Sequence, residues 1–86
     1  MNPPGGSYKP EIGFVPDEAT AISIAESVLI PIYGEANIER QRPFTAVLSD
    51  GVWTIQGNLP ENFVGGVATV KLSKSDARIF WVHHGR

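Results

Sequence analysis

The chain has no cysteine, which excludes disulfide reinforcement and removes thiolate chemistry, whether as nucleophile or as zinc ligand. It has no positive excess either. Seven Lys and Arg stand against nine Asp and Glu, a formal net charge of −2, so no global positive field is present to hold nucleic acid. The longest apolar stretch, residues 28–33, is far short of the roughly 20 residues that a membrane span requires. The opening MNPPGGSYKP lacks the cationic start and apolar core of a secretion signal. A cytoplasmic protein is therefore expected, or a periplasmic one where a signal has been removed. What remains is 86 residues and 9.3 kDa, enough for one small domain. With 42% hydrophobic and 19% charged residues the composition is that of a globular protein.

Prolines, glycines and a serine dominate the first ten residues, so residues 1–12 read as a flexible leader and residues 13–86 as the domain. A helix is predicted from near Asp17. Pro16 suits a helix start, and the Asp17 carboxylate can accept from the free amides of the first turn. Ala21, Ile24, Ala25, Val28, Leu29, Ile32 and Tyr33 then recur at helical spacing as one apolar stripe. Pro31 falls inside the pattern, which predicts a kinked or separate last turn, and Gly34 is a natural stop. Residues 35–42 read as a polar connection.

A helix with one sticky face needs a sheet to cover it, and the rest of the chain supplies one. Residues 43–49 and 52–59 flank Asp50-Gly51, a pair that tolerates the positive φ of a type I′ hairpin turn. A two-residue loop sets Leu48 opposite Trp53 and Ala46 opposite Ile55, and puts Phe44, Ala46, Leu48, Trp53 and Ile55 on one face. Residues 60–65 read as a loop. A second hairpin follows, residues 66–73 and 78–84, turning through Lys74-Ser75-Asp76-Ala77. A one-residue shift there exchanges Ile79/Trp81 for Phe80/Val82 as the buried pair. A three-residue bulged turn puts Phe80 and Val82 inside with Val70 and Leu72 and leaves Trp81 outside. The fold class is α+β: one N-terminal amphipathic helix, then four antiparallel strands.

Six strings look familiar together: Val15-Pro16-Asp17, Leu29-Ile30-Pro31-Ile32-Tyr33-Gly34-Glu35, Arg42-Pro43-Phe44, Asp50-Gly51-Val52-Trp53, Gly65-Gly66-Val67-Ala68 and His84-Gly85-Arg86. They resemble the small bacterial immunity proteins of nuclear transport factor 2 fold, encoded beside polymorphic toxins. The resemblance runs from about Gly13 to the end. Family members typically close on His-Gly-Lys and carry Asp-Gly in the second turn, where this chain has Arg86 and Asp76-Ala77. The resemblance implies a helix packed on a curved, cystatin-like sheet, and a protein that neutralises a partner toxin by binding it. It also implies interbacterial competition as the setting.

No residue set declares a reaction. His83 and His84 are adjacent on a strand, so their rings point to opposite faces, and no third metal ligand has suitable spacing. Asp17 and Glu18 suit the helix N-terminus, where the dipole favours anions. Glu26 lies off the stripe, and Glu35 and Glu39 sit near Arg40 and Arg42 in a solvated segment. Ser49 and Ser73 stand at turns without a positioned base. Gly65-Gly66 is followed by a strand instead of a helix, which argues for a hinge and against a phosphate cradle. Trp81, placed outward beside Lys71, is the candidate anchor of an interface. The expected partner-binding residues are Lys71, Arg78, Trp81 and His83, joined by Glu35, Glu39 and Arg40. The expected partner is a toxin domain, with no cofactor, metal, nucleic acid or catalysis. The alternative is a ligand-binding or enzymatic domain of the same broad fold with a pocket between helix and sheet.

Overall fold

Asp17 starts the helix as its side chain predicts. Its backbone is extended (φ −143°, ψ 171°) and its carboxylate accepts from the Thr20 amide at 2.8 Å. The structure, a computed structural model, describes residues 8–59 and 66–85. The expected loop at residues 60–65 and the first seven residues of the expected leader lie outside the described residues. Helix α1 is Glu18–Tyr33 and runs unbroken through Pro31, without the separate last turn that Pro31 suggested. Its buried row is Ala21, Ala25 and Leu29, flanked by the partly buried Ile22, Ile24, Ile30 and Tyr33. A row spaced by four residues overshoots a 3.6-residue turn and drifts by about 40° per step. By the last turn the contact line has moved to Tyr33. Ile32, expected on the buried stripe, is 55% exposed for that reason.

Gly34 ends α1 at φ 93°, donating to the Ile30 carbonyl at 2.8 Å. The segment read as a polar connection then forms a second helix, α2, Glu35–Arg40. It packs against α1 and puts Ile38 wholly inside the core. With only Ala36 and Ile38 apolar, EANIER has no periodicity from which this helix is legible.

The four strands are β1 Thr45–Ser49, β2 Val52–Gln56, β3 Ala68–Ser73 and β4 Ile79–His84, antiparallel in the order β1-β2-β3-β4. The first hairpin has the predicted register, with Leu48 opposite Trp53 and Ala46 opposite Ile55. Asp50 (φ 52°) and Gly51 (φ 75°) both take the left-handed conformation that the turn demands. Phe44, Ala46, Trp53 and Ile55 are buried, but Leu48, expected among them, is 42% exposed. It lies next to the turn on an edge strand, with a neighbouring strand on one side only.

In the second hairpin Lys71 pairs with Trp81 and Val70 with Val82, so Trp81 faces outward and Val82 inward as expected. Leu72 then pairs with Ile79, which leaves Phe80 as an extra residue in a bulge. Phe80, expected inside, is 50% exposed. The loop also differs from the three-residue turn. It spans residues 74–77, closed by the Ala77 amide on the Ser73 carbonyl (2.9 Å) and the Ser73 amide on the Arg78 carbonyl (2.8 Å). Ala77 adopts φ 66°, a left-handed site usually given to glycine, so no residue type announced it.

These registers sort the sheet into two faces. Inward, Ala46, Ile55 and Val70 meet the helical layer, with Trp53 and Leu72 beside them. The Trp53 indole N–H donates to the Val15 carbonyl at 2.8 Å. Val15 and Phe14 are themselves held by amide bonds, each 3.0 Å, to the carbonyls of Lys74 and Ser75. Outward, one row across all four strands is Val47, Thr54, Lys71 and Trp81, and the next is Thr45, Gln56, Thr69 and His83.

Candidate functional site

Alternation along β3 and β4 brings three of the expected binding residues together on the outer face. The Lys71 ammonium lies 5.6 Å from the centroid of the Trp81 ring, within cation–π reach. His83 also stacks on Trp81, with ring centroids 5.1 Å apart and planes within 4° of parallel. An exposed indole held by cross-strand and same-strand neighbours loses little rotamer freedom when it is covered. Arg78, at the start of the same strand, lies 6.0 Å from the Phe80 ring. The Arg78 backbone N–H donates to Asp76, and with the Ser73 side chain this holds the Asp76 carboxyl below its ordinary range.

Glu35, Glu39 and Arg40, expected at the same site, stand elsewhere. All three are exposed on α2, in the helical layer on the opposite side of the sheet. Nearby, Arg42 makes an ion pair with Glu26 at 2.9 Å. That bond and the Glu26 charge raise the Arg42 pKa, with smaller contributions from Glu39 and Glu35. Asp17, Glu18, Glu26, Glu35 and Glu39 thus stand on the helical layer and Asp50 and Asp76 in the hairpin turns, while the two outward rows of the sheet contain no Asp or Glu.

The other titratable candidates have structural partners. Asp17 is held below its ordinary range by the Thr20 hydrogen bonds, the wrong direction for a general acid or base at neutral pH. The Ser73 hydroxyl accepts from the amides of Ser75 and Asp76 (3.1 and 3.3 Å) in the turn. His84 turns away from His83 and packs on Tyr33, with centroids 4.9 Å apart. Its Nδ1 faces the Gly85 carbonyl at 2.6 Å, so Nδ1 is the donor and Nε2 is left to accept from Gln41 Nε2 at 3.1 Å.

Sequence reasoning missed that glutamine. Gln41 is 1% exposed; its Oε1 accepts from the Ala68 amide at 2.7 Å and its Nε2 donates also to Asn37 at 3.3 Å. It ties α2 to β3 and β4, a structural junction with no reacting group. Among the described residues it is the buried polar side chain, and no buried Asp or His lines the space between helix and sheet. A concavity of about 430 Å³ lies instead where residues 9–13 meet Gly51, Lys74 and Ser75. Among the described residues no three His, Asp or Glu cluster in a way that would hold a metal ion, and no helix is long and apolar enough to cross a membrane.

Comparison with known proteins adds a family to this geometry. The profile of the family described as NTF2 fold immunity protein matches residues 20–86, most of the chain. A curated relative, the uncharacterized protein YhhH of Escherichia coli strain K12, is 27% identical over 73 residues, which is 84% of this chain. The chain spans 58% of the length of YhhH. No solved structure matches.

Proposed function

Because the chain belongs to the NTF2 fold immunity protein family, we propose that it binds a bacterial toxin protein and neutralises it by covering an active site or docking surface, without catalysis. The family match supports the toxin-binding role. The exposed Trp81, braced by Lys71 and His83 on a sheet face that packs against nothing in the described chain, is the observation that carries the mode of action. An aromatic ring with few conformations left to lose, in a setting of small polar side chains, is the usual composition of an interface anchor and its rim. On the helical layer, Asp17 caps α1, Glu26 pairs with Arg42 and Gln41 holds the buried junction. A pocket enzyme of this fold needs an ionisable group free to act between helix and sheet; the buried described residues there are apolar apart from Gln41, and the half-buried His84 beside it is bonded to Gln41 and Gly85.

In this proposal the system is a polymorphic toxin system acting between competing bacteria, with the toxin encoded next to its antidote. Co-expression tests it. Cells making the neighbouring toxin should survive when this chain is present and die when it is not. Equal killing in both cases would refute the proposal, as would turnover of a small molecule by the purified chain that one ionisable substitution abolishes.

A further inference from the structure

We propose that the outer sheet face takes an acidic segment of the partner, with its carboxylates on the Lys71 and Arg78 cations and an apolar side chain against Trp81. This inference rests on the toxin-binding reading and adds to it the chemistry of the bound surface.

The first observation is the segregation of charge. The chain carries nine acidic against seven basic side chains, yet the two outward rows have none of the acids. Glu18, Glu26, Glu35 and Glu39 all stand on the helical layer. An acidic partner is therefore repelled from one side of this molecule and received on the other, which fixes the side on which it docks.

The second observation is the state of the cations. Lys71 and Arg78 are exposed, and among the described residues neither side chain is in an ion pair; each instead lies by an aromatic ring, Trp81 and Phe80 respectively. A cation beside a ring keeps its charge available to a further anion while its stem is held in place. The Asp76 carboxylate, next to Arg78, is occupied by the Arg78 backbone N–H within the turn. Across the rest of the face Thr45, Thr54, Gln56 and Thr69 offer hydrogen bonds without charge, so an incoming carboxylate meets attraction at the β3–β4 side and no repulsion elsewhere on the rows.

The test is calorimetric titration of the neighbouring toxin domain into the full chain and four variants: Lys71→Glu, Arg78→Glu, Trp81→Ala and, as control, Ser27→Glu on the exposed side of α1. The two charge reversals and Trp81→Ala should each weaken binding by roughly tenfold or more, while Ser27→Glu should stay within about twofold. Raising the salt from low to physiological strength should weaken the wild-type complex and leave Lys71→Glu less affected. Far-ultraviolet dichroism confirms that each variant is folded, and a Glu→Lys or Asp→Lys change in the toxin that restores binding to Lys71→Glu identifies the facing carboxylate. A wild-type complex that all three sheet-face variants bind equally well overturns this inference and leaves the neutralisation reading standing. Absence of any wild-type complex overturns both.

Discussion

Replacing Gly57 by alanine is a severe test of the buried junction. An added Cβ would lie 2.3 Å from Gln41 Oε1, 3.0 Å from its Cβ and 3.2 Å from its Cδ. Moving the carboxamide alone does not relieve the contact with the Gln41 Cβ. The tip is also pinned, since Oε1 takes the buried Ala68 amide and Nε2 reaches both Asn37 and His84. Overpacking of this kind costs about 1–3 kcal/mol. If the carboxamide is expelled instead, the stranded Ala68 N–H costs another ~1–3 kcal/mol. With both contributions the expected loss is ~2–6 kcal/mol, set against a total stability of about 4–13 kcal/mol for a chain of this size. With a urea m-value of about 1 kcal/mol/M for so small a domain, the midpoint should fall by ~2 M or more, read from tryptophan emission. The double variant separates the causes. Gln41→Ala removes the Oε1 and Cδ contacts and leaves only the 3.0 Å one to Cβ, so Gly57→Ala should cost much less in that background, a coupling of about 1 kcal/mol or more. A Gly57→Ala protein within ~0.5 kcal/mol of wild type, or strictly additive effects, would refute the reasoning.

Two further outcomes follow from the turns and caps. Asp17 and Asp76 both have carboxyls held below the ordinary range by hydrogen bonds, so their contribution is present above about pH 4 and is lost as pH falls through their folded values. Tm measured against pH should show that loss in wild type; Asp17→Asn/Asp76→Asn, which keeps an acceptor at each site, should flatten it, and an unchanged acid limb would contradict the assignment. Ala77→Gly should stabilise the second hairpin by about 0.5–1 kcal/mol in urea unfolding, because a left-handed alanine is strained by about 1–2 kcal/mol and the lost methyl contact offsets part of the gain. Destabilisation would show that the half-buried methyl outweighs the strain.

What was legible in the sequence is what local chemistry dictates. Asp17 announced a cap and Asp50-Gly51 a hairpin, and a two-residue loop left one register for β1 and β2. The outward Trp81 and the opposed faces of His83 and His84 followed from alternation. The misses share a cause: they depend on tertiary partners. Ile38 and Gln41 sit in a segment with no periodic pattern, and only the packing of α2 against α1 and the bonds of Gln41 to Ala68 and His84 put them inside. Phe80 was misplaced because a bulge moves a residue out of alternation, and Ala77 takes a glycine's conformation without being one. In the candidate site, the β3–β4 residues came together because pairing places them, whereas Glu35, Glu39 and Arg40 were joined to them by charge type alone.

The bulge at Phe80 has a bearing on solubility. β4 ends the strand order and carries Ile79, Phe80 and Trp81 in the open, a greasy border of the kind along which chains stack into fibrils. A regular ladder there would offer a flat template to any second chain. The additional residue breaks the two-residue rhythm of that border near its start, so an incoming strand can match regular spacing only from Trp81 to His84. The same irregularity that puts the phenylalanine in water shortens the stretch of that border along which a second copy could add a regular strand.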